Sequence, residues 1–143
     1  MTTELESSYV LAVADQLSFV AAFLGGVSAT ILVSVLIFNS SKRSIEYLVG
    51  ASSVAACGHL IAVISAWRLT IGLHPDLPFV PDPDKLEILW NGMIAGYSLG
   101  VLGLIASIGI SGWIRSKRMG LITGTFALIA VIYFSTTSIY SPY

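Results

Sequence analysis

Long runs of apolar residues dominate this chain. Four of them reach or exceed the roughly 20 residues that a helix needs to cross about 30 Å of hydrocarbon. In lipid, the backbone N–H groups of a spanning segment must find partners within that segment, and the alternation typical of a membrane barrel strand is absent. Each run therefore predicts a transmembrane helix. The four predicted spans cover residues 17–38, 47–67, 88–114 and 119–140.

Two local signals extend this prediction beyond the apolar runs. Asp82 followed by Pro83 is typical of a helix start, because Asp caps the free N–H groups and proline suits the first helical position. The third helix should therefore begin ahead of its apolar run. An apolar stripe with a period of four indicates that the first helix also begins ahead of its span. The members of this stripe are Leu5, Tyr9, Val13 and Leu17.

The composition fits a protein surrounded by lipid. Of 143 residues, 55% are hydrophobic and only 10% are charged, whereas a soluble domain has about 25% charged residues. We therefore expect an all-α integral membrane protein, a single domain of four transmembrane helices in an antiparallel bundle, with the lipid bilayer as its surroundings. The net charge of −1 gives no basis for a nucleic-acid partner.

Basic residues are concentrated on one side of the predicted membrane. Five of the seven lie in the two short loops, and the opposite side holds seven of the eight acidic residues. By the positive-inside rule the short loops are cytoplasmic, so both termini and the outer loop at 68–87 are expected outside. A bacterial inner membrane or plasma membrane is the expected location. The five basic residues are Lys42, Arg43, Arg115, Lys117 and Arg118.

Small residues recur at helical spacing in every span. They let helices approach closely, which drives association where the hydrophobic effect is absent. The third span has the clearest pattern, with two overlapping GxxxG units, and this stripe can serve either packing within one chain or contact between subunits. A homo-oligomer or a complex with other membrane subunits is expected. The predicted packing glycines are Gly25, Gly92, Gly96, Gly100, Gly103, Gly120 and Gly124.

Few side chains can carry chemistry inside the membrane. Apart from the thiol of Cys57, His59 is the only ionisable group near the middle of a span. Such a group is a functional candidate, although it can also simply hydrogen-bond a neighbouring helix. One cysteine allows no intrachain disulfide. No catalytic set is visible, so we expect a non-enzyme without a cofactor. His74 with Asp76, Asp82 and Asp84 could bind a divalent cation in the outer loop, but their spacing matches no known calcium loop, so we expect no bound metal.

Polar residues along the first span indicate an ion pathway. If that span surrounded the axis of an oligomer, Asp15 beside Gln16 would form an acidic ring that concentrates cations at the outer mouth. Hydroxyl groups would then follow inside the pathway, unless they only satisfy carbonyls of their own helix. The candidates are Asp15, Gln16, Ser28, Thr30, Ser34 and His59.

Three functional hypotheses follow from these features. The favoured one is a homo-oligomeric ion channel or pore-forming protein, based on the small-residue faces and the polar residues of the first span. The alternative is an accessory or assembly subunit of a larger membrane protein complex, based on the small size and the absence of a catalytic set. A third hypothesis is a proton-coupled transporter built around His59.

Overall fold

The computed structural model of the protein describes residues 2–37, 43–74 and 82–139. Its four helices are α1 (Thr2–Ile37), α2 (Arg43–Gly72), α3 (Pro83–Arg115) and α4 (Lys117–Ile139). All four are long and apolar enough to cross a membrane. The prediction of an all-helical chain with four apolar helices of membrane-spanning length is thereby confirmed.

The helices are longer than most of the predicted spans. α1 is already helical from Thr2, in agreement with the apolar stripe ahead of the first span, and α2 continues past Trp67 to Gly72. An apolar run marks only the part of a helix that fits the hydrocarbon, whereas the backbone stays helical through polar residues until a cap or a proline ends it. The predicted span ends at Phe38 and Tyr140, and the loop segment 75–81, lie outside the described residues.

The ends of α3 have well-defined caps. The Asp82 backbone is extended, its side chain accepts a hydrogen bond from the Asp84 N–H at 3.2 Å, and Pro83 is the first helical residue. This agrees with the predicted start. At the other end, the single extended residue Ser116 separates α3 from α4. Its N–H donates to the Gly112 carbonyl and its Oγ accepts from the Met119 N–H, both at 3.2 Å.

The helices pack in an open bundle. α2 contacts α1 along one side and α3 along another, and α4 packs against α3. Among the described residues, α4 makes no contact with α1 or α2, and α1 touches α3 only slightly. Paired residues of α2 and α3 run in opposite directions, from Ser52 beside Ser107 to Gly72 beside Leu86. The outer faces of α1 and α4 are consequently uncovered.

Large apolar side chains point outward in this fold. Phe19 is 77% exposed and Tyr133 is 71% exposed, whereas buried positions are mostly small residues. This distribution suits a lipid environment, where the outside of a protein is as apolar as its inside. The main buried apolar cluster lies toward the end of the bundle where α3 begins. Its members are Ala14, Ala66, Leu69 and Met93.

Candidate functional site

The seam between α2 and α3 is built from backbone contacts. A Cβ placed on Gly58 would lie 2.5 Å from the Gly100 nitrogen, and one on Gly96 would lie 2.8 Å from the Ala62 nitrogen. A Cβ on Gly103 would likewise meet the Ala55 backbone at 2.7 Å. The predicted glycine stripe of α3 therefore faces α2 within the same chain.

The seam between α3 and α4 uses two more of the predicted packing glycines, Gly120 and Gly124. Gly120 lies directly beneath the Trp113 ring, and a Cβ on Gly124 would be 4.0 Å from its Nε1. Thr123 Oγ1 lies 2.9 Å from the Gly109 carbonyl and 3.1 Å from the Met119 carbonyl. Its single hydrogen serves one of them at a time. These contacts hold the first half of α4 against the end of α3.

Buried serines in the α2–α3 seam have partners. Ser107 Oγ donates to the Gly103 carbonyl at 2.8 Å, and it lies 3.1 Å from Ser52 Oγ. Since the Ser107 hydrogen is already used, Ser52 donates across the seam and Ser107 accepts. Both hydroxyls of this pair are therefore hydrogen-bonded.

His59 occupies a slot between three helices. Its side chain is fully buried, with 0% of its surface exposed. A Cβ on Gly100 of α3 would lie 2.7 Å from the imidazole Cδ2, and a Cβ on Gly25 of α1 would lie 3.2 Å from the His59 Cβ. The ring of Tyr97 on α3 stands nearly perpendicular to the imidazole, with centroids 6.3 Å apart. Glycine on two neighbouring helices therefore makes the space that the imidazole fills.

The imidazole nitrogens of His59 have no hydrogen-bond partners. Among the described residues, these two are the buried side-chain polar atoms left unpaired. The Ala55 carbonyl, one turn earlier, lies near the ring without meeting hydrogen-bond geometry. A neutral imidazole carries one donor and one acceptor, and leaving a buried group unpaired costs about 1–3 kcal/mol. His59 is thus a chemically unsatisfied group in an otherwise paired interior.

The predicted pathway residues of α1 fall on two different faces. Asp15, Gln16, Thr30 and Ser34 are exposed, whereas Ser28 is fully buried. Each of the three hydroxyls donates to the backbone carbonyl four residues earlier in the same helix. The acceptors for Ser28, Thr30 and Ser34 are the carbonyls of Leu24, Gly26 and Thr30, respectively. Their oxygen lone pairs remain as acceptors. The structure therefore groups Thr30 with Ser34 and separates both from Ser28 and from His59.

A stripe of small residues on the exposed side of α1 has no partner helix among the described residues. It consists of Ala22, Gly26, Thr30 and Ser34, at a spacing of four, and we call it the exposed α1 stripe. A Cβ on Gly26 would meet nothing within 4 Å. Sequence reasoning assigned the hydroxyls to a pathway and the small residues to packing, so it missed that they share one line. A shallow groove runs beside them, lined by Ala22, Phe23, Gly26, Val27, Thr30 and Ile31.

The chain was compared with protein-family models, with curated proteins and with solved structures, and no match was found. In residues 2–37, 43–74 and 82–139, no group of three or more His, Cys, Asp or Glu side chains gathers at a spacing that could hold a metal ion. The exposed α1 stripe and the slot around His59 are therefore the two features from which function is argued.

Proposed function

We propose that the chain forms a homo-oligomeric ion channel in which α1 of each copy lies nearest the symmetry axis. The exposed α1 stripe is the observation that carries this proposal. Small residues at a spacing of four allow close helix association in a membrane. The glycines of α3 and the start of α4 already contact helices of the same chain, whereas Gly26 meets only open space. Contact between copies through α1 would give that stripe a partner.

Polar groups on the same side of α1 support passage of cations. Gln16 and Ser34 are exposed and separated by roughly five helical turns, so they lie along one line of the helix. Asp15 is exposed beside Gln16. A ring of carboxylates raises the local cation concentration, and hydroxyl oxygens replace part of a hydration shell. We therefore propose cations as the conducted ions, with Thr30 and Ser34 on the pathway and Ser28 outside it.

Two aromatic side chains provide a means of closing this pathway. Phe19 and Phe23 are 77% and 67% exposed, and they lie between the acidic end of α1 and Thr30. In a ring of α1 helices these side chains would meet near the axis. Apolar constrictions in channels close by excluding water. We propose that the phenylalanine rings form the narrow part of the closed channel.

The proposed orientation follows from charge. Arg43 begins α2, and the α3–α4 turn carries Arg115, Lys117 and Arg118. The opposite directions of α2 and α3 bring these residues to one end of the bundle. By the positive-inside rule that end is cytoplasmic. We propose an antiparallel bundle in a bacterial inner membrane or plasma membrane, with both termini and residues 68–87 outside and without enzymatic activity.

Conductance in planar bilayers tests the proposal. We expect purified protein to form discrete cation-selective channels, and Asp15→Asn to lower their cation conductance because the acidic ring is lost. Glu87→Gln is the matched control, since it removes an exposed acid on α3 away from the proposed axis. Absence of channels from the intact oligomer, or equal effects of the two substitutions, would contradict the proposed pathway.

The environment of α4 favours the second candidate function, an accessory or assembly subunit. Only 6% of the residues in its most apolar 18-residue stretch are buried, and among the described residues it contacts α3 alone. A larger partner lying against α4 would cover this surface. Under this alternative, the protein extracted from its own membrane would carry other polypeptides at a fixed ratio. A mass made only of copies of this chain would exclude it.

A further inference from the structure

We propose that His59 is a proton-binding site inside the spanning helices, and that proton uptake loosens α1 from α2 and α3. The inference goes beyond the proposed channel and does not depend on it, because it concerns the packing of a single chain. Its basis is the fully buried imidazole whose two nitrogens have no hydrogen-bond partner.

The slot holds the imidazole tightly and keeps its nitrogens from water. A Cβ on Gly100 would overlap the imidazole, and a Cβ on Gly25 of α1 would press against the His59 Cβ. Both ring nitrogens are buried, so water does not reach them in this packing. Protonation would give the imidazole two N–H donors, and neither nitrogen has a hydrogen-bonded partner here, since the nearby Ala55 carbonyl does not meet hydrogen-bond geometry.

No described acidic side chain faces the imidazole. From α3 the titratable group in contact is Tyr97, whose ring centroid at 6.3 Å is just beyond the roughly 6 Å range of cation–π attraction. From α1 the facing residue is Gly25, and Asp15 is exposed about 15 Å further along the helix axis. Within the described chain, α4 does not contact α2. The other titratable side chains of α2 are exposed: Arg43, Glu46, Tyr47, Cys57 and Arg68.

An unpaired charge in this slot favours a different packing. Burying a charge without a partner is strongly unfavourable, so protonation selects arrangements in which the nitrogens reach water or lipid headgroups. Of the three helices around the ring, α1 has the least contact with the rest of the chain. In its most apolar 18-residue stretch 11% of the residues are buried, compared with 33% in the corresponding stretches of α2 and α3. Histidine changes its charge within the physiological pH range. Acidification should therefore release α1 first.

The test combines two measurements on the full chain in lipid bilayers. A His74→Gln background leaves His59 as the sole histidine, so the ¹⁵N signals of labelled imidazole report its protonation directly. Hydrogen exchange, corrected for the intrinsic rate at each pH, reports the packing of α1. Between about pH 7.5 and about pH 5 we expect the ring to become charged and protection around Gly25 to fall roughly tenfold or more, with one shared midpoint.

A charge-incompetent variant separates proton uptake from a purely structural role. His59→Gln keeps a donor and an acceptor but cannot take a proton, so its α1 protection should not change with pH. His74→Gln alone should retain the full response. The proposal is overturned if His59 stays neutral, if it is protonated with α1 protection unchanged, or if His59→Gln still responds to pH. Should His59→Gln fail to fold, the titration of the His74→Gln protein decides alone.

Discussion

Gly58, Gly96 and Gly100 let the backbones of α2 and α3 meet without intervening side chains. The same glycine at position 100 also shapes the slot for His59, because its missing Cβ is the space that the imidazole occupies. Gly50, in contrast, lies on the exposed side of α2 with nothing near its Cβ position. Packing therefore requires glycine at position 100 but not at position 50.

Gly100→Ala should destabilise the fold. The new Cβ would lie 2.7–2.8 Å from three imidazole atoms and force the ring or α3 to shift, an overpacking cost of about 1–3 kcal/mol. Gly50→Ala has no contact to disturb and should be neutral, or stabilising by roughly 0.5–1 kcal/mol through helix propensity. Reversible unfolding in mixed micelles measures both. Equal free energies of unfolding for the two variants would show that the slot is not tight.

At the scale of elements, α3 joins α4 to the rest of the bundle, because α4 packs against α3 and α3 packs against α2. It is capped by Asp82 at one end and by Ser116 at the other, and Ser116 also caps the start of α4. A single extended residue between two helices makes a tight turn, and the contact of Trp113 with Gly120 fixes how α4 leaves it. The position of α4 is consequently determined near its first turns.

Gly120→Ala should detach the first half of α4. Its Cβ would overlap the Trp113 ring, whereas a Cβ on Gly124, one turn later, would be 4.0 Å from the Trp113 Nε1. We expect faster hydrogen exchange over residues 120–127 in Gly120→Ala. The Gly124→Ala variant should exchange like the unaltered protein. If both variants behave alike, Trp113 does not hold α4.

Sequence reasoning succeeded where the determining interactions are local. The Asp82–Pro83 start and the apolar runs depend on residues close in the chain, so they were predictable. The partner of the α3 glycine stripe was not, because GxxxG spacing specifies close approach without specifying the approaching helix. Ser28 and Thr30 are two residues apart yet lie on a buried and an exposed face. Both faces of α1 are apolar, so the helix carries no amphipathic signal that would assign them.

At the scale of the whole molecule, the open bundle leaves its two edge helices largely uncovered. About a third of the residues in the most apolar stretch of α2 and of α3 are buried, but far fewer in α1 and α4. The two edges differ in character. The outer face of α4 is mostly large apolar side chains suited to lipid, whereas α1 carries the exposed stripe of small residues. The proposed self-association therefore uses α1 rather than α4.

Gly26→Leu should prevent this association without disturbing the single chain. Gly26 and Gly50 are both exposed helical glycines, and a Cβ added at either position would have no neighbour within 4 Å. A leucine at position 26 would hold neighbouring α1 helices apart, because close approach requires small side chains. The Gly50→Leu variant is the matched control for added bulk and helix propensity.

Native mass spectrometry of the protein released gently from its own membrane measures this association. We expect one mass at a multiple of two or more times 15.2 kDa for the unaltered chain and for Gly50→Leu, and a monomer for Gly26→Leu. A monomer for the unaltered chain, a complex containing other polypeptides, or an oligomer that persists in Gly26→Leu would contradict it.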